Sequence, residues 1–500
     1  MNSSLIFLIF ASLLLRLVSL NQSLWLDEAT TARVVQQYDY GQILTQFSPH
    51  DFHPPLYYLL MKLWTNIFGY SEIALRAPSV LASLLTGLFI YKIVIKSIKS
   101  IKSVRSVKSM AIWAAAFFLF NPLIVYYSQE ARMYSFVTLL VTLTFWSVTK
   151  FQVKSSKLKV RYVVLANVFI ALSLGTYYGS VFFIAALYGY LLLKKEFKVF
   201  LYLLPGTMIA GILLYPLFLI QLKNSGEVLK AIPNWSVTLG QANLKNLLLI
   251  PIKFASGRIS WEPKIFYYAV AGLWTLFVSY FVMLNLPTVM LNLVQHLHGI
   301  LKPHFALRAT RGRRVQDDGK ILKPHFALRA TRGRRVRNDT VILYTLYLLP
   351  ILLGFLVSFY KPLLQYFRFI YVIPFMSMLL CINTGKRWQR SVLLAGFVFF
   401  SLIYTYMPSF HREDWKSLVK ALPSKTVYLL PSSIDPIKYY DLSIKSNNIL
   451  AVMPKERSIT MIPYAAEFYG FDYVEKLSSL KYRKMREIKV RGLYFEVWTR

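Results

Sequence analysis

Acidic residues are scarce in this chain, 22 against 58 Lys and Arg in 500 residues, so the places where they gather carry weight. Asp27 and Glu28 stand side by side directly after Trp25 and Leu26. Adjacent carboxylates repel each other, and one can be held protonated to a higher pH. Such a pair suits a general base or a cation site. It equally suits the start of a helix, with Asp27 as cap and Glu28 in the first turn. Spacing alone leaves both readings open.

Asp51 and His53 come just before Pro54 and Pro55. Proline is favoured where a helix begins, so this order predicts an irregular segment, ending in a helix, that holds both side chains rigidly. Gln129, Glu130 and Arg132 fall together in a short turn. An arginine there is always charged and can clamp phosphate oxygens with two parallel hydrogen bonds. Arg368, at the head of RFIYVIPF, is placed for the same work. Arginines at helix ends also commonly reach out to solvent without any such role. Asp27, Glu28 and His53 are a possible set of ligands for a divalent cation, although no tight ligand spacing requires one. Cys381 lies in an apolar run and reads as a small core residue.

These residues must be positioned by a membrane bundle. The chain is 56% hydrophobic and 16% charged, where soluble proteins carry about 25% charged residues. Several apolar runs approach the ~20 residues that cross a bilayer as helix. The pattern predicts an α-helical polytopic protein of about eleven transmembrane helices. Their approximate positions are 5–22, 74–95, 110–126, 133–149, 162–177, 180–193, 199–219, 265–286, 340–358, 368–383 and 391–407. The first run resembles a signal peptide but lacks a basic start and an Ala-x-Ala cleavage site, so it reads as a retained helix.

The net charge of +36 sits in short segments between apolar runs, such as Lys96 to Lys108, Lys150 to Arg161 and Lys386 to Arg390. Cytoplasmic loops carry such an excess, which puts the N-terminus inside. A basic stripe on a folded surface is missing, which argues against nucleic acid as a partner. The same threading leaves loop 21–73 outside, with an amphipathic stretch, YYLLMKLW, lying along the interface. A turn carrying NPLIVYYSQEARMYS and a long segment at about 220–264 also fall outside.

Residues 1–407 thus form the membrane domain, and 408–500 a polar tail with β-like runs VYLLP, ILAVM and LYFEVW. Helix-compatible stretches between them predict a small C-terminal α/β domain outside the membrane. ILKPHFALRATRGRRV occurs at 300–315 and again at 321–336. Two Arg-rich copies cannot build a repeat core, so the segment 300–336 reads as an inserted, disordered cytoplasmic loop. A polybasic contact with anionic membrane lipids is the alternative.

LWLDEATT, DFHPPLYYLL, FGYSEIALRAPSVLASLLTGLFIY, NPLIVYYSQEARMYS, RFIYVIPF and REDWKSL occur in that order. Together they resemble the bacterial branch of the glycosyltransferase C superfamily, related to protein O-mannosyltransferases and lipid A aminoarabinose transferases. The match is clearest over 20–150 and weaker over 360–420. The repeat at 300–336 has no counterpart in that pattern.

The resemblance implies a polyprenyl-phosphate sugar donor, a protein, lipid or polysaccharide acceptor, and inversion at the anomeric carbon. It places the site at the outer face of a bacterial cytoplasmic membrane. It implies that Asp27 deprotonates the acceptor hydroxyl and that Glu28 supports it or helps hold an acceptor or cation. His53 lines the same cavity, beside Asp51. Arg132 and Arg368 neutralise the leaving phosphate, with Glu130 orienting Arg132. A transporter or flippase of lipid-linked sugars shares the many spans, but it favours ionisable groups near the bilayer midplane. Here the acids gather at one rim. A structural or assembly protein leaves those acids unexplained.

Overall fold

Apolar runs unbroken by turn residues fold here as helices, in a computed structural model that describes residues 2–98, 104–151, 160–232, 234–287, 290 and 325–500. The main helices are α1 (Ser3–Leu17), α2 (Leu26–Gln37), α3 (Leu56–Phe68), α4 (Glu72–Ile98), α5 (Val104–Leu119), α6 (Pro122–Ser128), α7 (Tyr134–Phe151) and α8 (Val160–Thr176). They continue as α9 (Val181–Leu193), α10 (Phe197–Ala231), α11 (Leu244–Ser256), α12 (Lys264–Met283), α13 (His325–Val357), α14 (Ile373–Asn383) and α15 (Arg387–Tyr406).

Each run predicted as a span overlaps a helix, although 110–126 falls on two, α5 and α6, and 5–22 runs past the end of α1. By length and composition seven of the described helices can cross a membrane, or eight if the bent pair α5 and α6 counts as one. Ser3–Leu17, Val160–Thr176 and Tyr178–Leu193 are apolar but shorter. Helix α10 turns much of its apolar surface outward, with Ile212 71% and Leu213 73% exposed. Large exposed aliphatic side chains in such a run are what a lipid-facing helix presents. In α14, by contrast, nearly every residue is buried.

Three sequence expectations change. The segment 220–264 is largely helical, because α10 continues to Ala231 and α11 follows. The run ILAVM, expected to be β-like, follows the strand Lys445–Asn448 as a turn, whereas the helix after Pro54 and Pro55 begins at Leu56 as expected. Residues 300–324 of the basic repeat lie outside the described residues, but from His325 the second copy is helical and runs into α13. Leu, Ala and Arg are good helix formers, and continuity with an apolar helix removes the cost of nucleation.

The last residues form a five-stranded mixed sheet with strand order β2-β1-β3-β5-β4. The strands are β1 (Thr426–Leu429), β2 (Lys445–Asn448), β3 (Ser458–Ile462), β4 (Arg483–Val490) and β5 (Leu493–Thr499). β1 pairs in parallel with β2 and β3, whereas β5 is antiparallel to β3 and β4. Alternation along β1 sends Val427 and Leu429 into one apolar layer and Tyr428 and Leu430 into the other. The first layer also contains Trp415 and Leu418 of α16 (Trp415–Ala421) and Ile437 of α17 (Ile434–Tyr440). Leu26, next to Asp27, packs against that layer from the bundle.

Candidate active site

The chain around Asp27 and Glu28 is set by capping and by one buried arginine. Trp25 is extended at the N-cap of α2, and its N–H donates to Glu28 Oε2 at 3.4 Å. Glu28 is fully buried, and Arg76 of α4 meets it with Nε on Oε1 at 2.8 Å and Nη2 on Oε2 at 2.6 Å. The remaining Arg76 donors reach the carbonyls of Leu20, Gln22 and Ser23 at 2.8, 2.7 and 3.0 Å. All five guanidinium hydrogens thus have a partner. Ala131 N–H adds a bond of 2.7 Å to Glu28 Oε1. Glu28 is therefore the anchor between the 20–28 segment, α4 and the 129–132 turn. Of the roles open to it from sequence, support for Asp27 fits this geometry, and direct contact with a cation or acceptor does not.

Asp27 has a different environment. Its side chain is 39% exposed, and Oδ2 lies 3.5 Å from Nη2 of Arg132, which is only 5% exposed. Nη1 of Arg132 also reaches the Asp27 carbonyl at 3.5 Å. The turn carrying Arg132 is tied down by Gln129, whose amide donates to the carbonyls of Arg16 and Val18 at 2.8 and 2.7 Å. It follows a 60° bend between α5 and α6. There Asn121 caps α6 through Leu123 and Ile124 N–H and donates to Phe254 O at 2.8 Å.

Glu130 does not orient Arg132. Its Oε1 takes Nε of Arg412 at 3.3 Å instead, while Arg132 turns to Asp27. Glu130 and Arg132 flank Ala131 in a tight turn, and Arg412 from the polar tail supplies the nearer cation. Burial pushes the Glu130 carboxyl up, and the neighbouring Glu28 charge adds to this against the pull of Arg412.

Asp51 Oδ1 lies 3.5 Å from Nδ1 of His53. Burial opposes its charge, but His53 and Arg132 together hold its carboxyl below the usual range. The end of α10 fixes this segment. Gln221 donates to the carbonyls of Ser48 and His53 at 2.6 and 3.0 Å and accepts from Tyr178 at 2.7 Å. Asn224 donates to Pro49 O at 2.7 Å.

His53 and Arg368 share a mostly apolar cavity of about 500 Å³, lined also by Tyr177, Phe218, Leu222 and Trp235. Arg368 has no ion pair among the described residues and lies 6.0 Å from the Phe367 ring centroid. Tyr134 lies near both, its ring centroid 6.1 Å from that of Tyr177 in the cavity wall and 5.5 Å from that of Phe367, the neighbour of Arg368. Asp27, Asp51, His53 and Arg132 therefore cluster, and Arg368 lines the cavity that His53 also lines. Among the described residues no group of three or more His, Cys, Asp or Glu side chains is placed to hold a metal ion.

Two charged residues here were not singled out from sequence, Arg76 and Arg412. A signal for Arg76 was present, because a charge within a predicted span usually has a partner and a purpose. Arg412 opens the REDWKSL motif, but nothing local shows that it reaches Glu130.

Residues 52–220 match the model of the family described as dolichyl-phosphate-mannose-protein mannosyltransferase. A search of curated proteins gives no match. The fold is similar to ArnT from Cupriavidus metallidurans bound to undecaprenyl phosphate, with a TM-score of 0.52 at 10% identity over 99% of this chain and 97% of that one. The Archaeoglobus fulgidus oligosaccharyltransferase in complex with Zn and sulfate gives 0.49 at 11% identity, over 99% of this chain and 73% of that one. The resemblance to protein mannosyltransferases is thereby borne out over residues 52–220, which hold three of the six motifs save Asp51, and the match to ArnT shows the fold.

Proposed function

We propose that this chain is a membrane glycosyltransferase that moves a sugar from a polyprenyl-phosphate donor to an acceptor hydroxyl, with inversion. The observation that carries the reading is the juxtaposition of part-exposed Asp27 with buried Arg132, in a cluster whose His53 lines an apolar cavity. A base must reach a substrate hydroxyl, whereas a phosphate-neutralising cation gains strength from burial.

In this reading Asp27 takes the acceptor hydroxyl proton as that oxygen bonds to the anomeric carbon. The bond from this carbon to the phosphate oxygen breaks, and its electron pair leaves with the phosphate. Arg132 and Arg368 face the charge that develops there. The cavity holds the first isoprene units, and the rest of the tail stays in hydrocarbon. Glu28 and Arg76 position Asp27, while His53, paired with Asp51, lines the cavity. A donor already activated as a phosphate ester needs positioning, proton removal and charge stabilisation. The N-terminus lies inside, and the site faces outward from a bacterial cytoplasmic membrane, since this threading puts the basic loops on the cytoplasmic side.

The test is transfer of labelled sugar from a panel of polyprenyl-phosphate donors to added protein, lipid and polysaccharide acceptors in membranes containing the chain. Transfer that requires Asp27 supports the reading. Movement of donor across the bilayer without transfer would replace it with the flippase reading.

A further inference from the structure

REDWKSL is the one motif that the catalytic scheme above leaves without a role, and its first residue joins parts of the site that are otherwise held separately. The Arg412 guanidinium lies 3.6 Å from the centroid of the Trp25 ring and 5.8 Å from that of Tyr126. The same group donates through Nε to Glu130 Oε1 at 3.3 Å, and its side chain is only 17% exposed. Trp25 stands two residues before Asp27, and Glu130 two residues before Arg132. One side chain thus grips both segments that carry the acid and its cation. Arg412 is itself anchored from the sheet, because Arg491 Nε donates to its carbonyl at 3.0 Å and Asp414 N–H donates to Arg491 O at 3.0 Å.

Further ties run from the same domain to the same segment. Leu24 N–H donates to the Tyr440 hydroxyl at 2.7 Å, and Thr30 donates to Asp435 at 2.8 Å. Lys416 N–H donates to Ser23 at 3.1 Å, and its ammonium pairs with Glu72 at 2.9 Å.

We propose that Arg412 is a positioning residue for the transfer reaction, through which the C-terminal domain sets the spacing between Asp27 and Arg132. This rests on the glycosyltransferase reading for its catalytic consequence, but its structural core does not depend on that reading. A planar guanidinium can stack on an indole while its edge donates to a carboxylate, whereas a lysine can do only one of these well.

The experiment is hydrogen exchange by mass spectrometry on the full chain in lipid nanodiscs, with wild type, Arg412→Met, Arg412→Lys and Glu130→Gln. Arg412→Met is expected to speed exchange about tenfold in both 23–28 and 129–133, leaving β1, β3 and β5 unchanged. Glu130→Gln should loosen 129–133 and spare 23–28, and Arg412→Lys should fall between wild type and Arg412→Met. With any donor that the wild type uses, Arg412→Met should lower kcat about 10- to 100-fold, the scale expected of a small misplacement, with the donor KM unchanged. Unchanged exchange in both segments overturns the proposal. So does equal acceleration throughout bundle and sheet in all three variants, which makes Arg412 a general stabiliser. A raised KM with unaltered kcat overturns it as well. If no donor is used by the wild type, the functional reading fails, and the exchange pattern alone decides the role of Arg412.

Discussion

Arg76 approaches Glu28 side-on, Nε to Oε1 at 2.8 Å and Nη2 to Oε2 at 2.6 Å, with both side chains buried. Removing one partner of such a pair leaves a buried charge uncompensated, which costs about 3–5 kcal/mol. Arg76→Met and Glu28→Leu should each lower the thermal unfolding midpoint sharply in detergent, and the double variant should lose less than the sum of the two. Additive losses would show that the contact contributes little.

Asp27 has a free face, so its replacement should cost chemistry and not folding. Asp27→Asn should express and unfold like wild type, yet lose transfer by on the order of a hundred- to ten-thousand-fold, the range for a missing general base. Undiminished transfer by this variant would falsify the assignment of Asp27.

Arg132 offers a fork where lysine offers a point charge. Arg132→Lys should retain the donor but lower kcat about tenfold or more, because the charge developing on phosphate is met with poorer geometry. Single-turnover measurements at saturating donor would separate this from weaker binding. A change confined to KM would assign Arg132 to ground-state binding.

The pH dependence of stability can be read at Asp51. Its folded carboxyl is held below the ordinary range by His53 and Arg132, against the effect of burial. A depressed acid contributes stability that is complete above its unfolded pKa of about 4 and fades as pH falls through the folded value. The gap in unfolding midpoint between wild type and Asp51→Asn should thus be fully open by about pH 5 and shrink below about pH 4. A gap that stays constant across that window would mean the pairing is not what stabilises the segment.

The apolar cavity can be filled without touching a charge. Leu222→Trp places a larger side chain on its wall, and should weaken binding of undecaprenyl phosphate about tenfold or more by native mass spectrometry, as overpacking a formed pocket does. Equal binding by both proteins would place the isoprenoid chain elsewhere.

The elements were legible because their signals are local. Long apolar runs marked every helix predicted as a span, and alternation in VYLLP and LYFEVW marked strands β1 and β5. Ends were less so, since α10 runs past its predicted limit to carry Gln221 and Asn224 under the 48–53 segment. In the site, neighbours in sequence misled where a distant residue competed. Glu130 and Arg132 read as partners, but Arg412 arrives from 282 positions away and takes Glu130. Arg76 lay within a quoted motif, yet its target, 48 residues upstream, follows only from how α4 stands beside α2.

The 60° bend at the start of α6 also decides how the site can be approached. All seven residues of α6 are buried, and Asn121 locks both its first turn and its contact with Phe254. The wall bearing Arg132 is thus fixed masonry, whereas Asp27 stands at an open sill. On the proposed transferase reading, an acceptor hydroxyl approaches from the Asp27 side, because that carboxylate is the exposed partner of the pair.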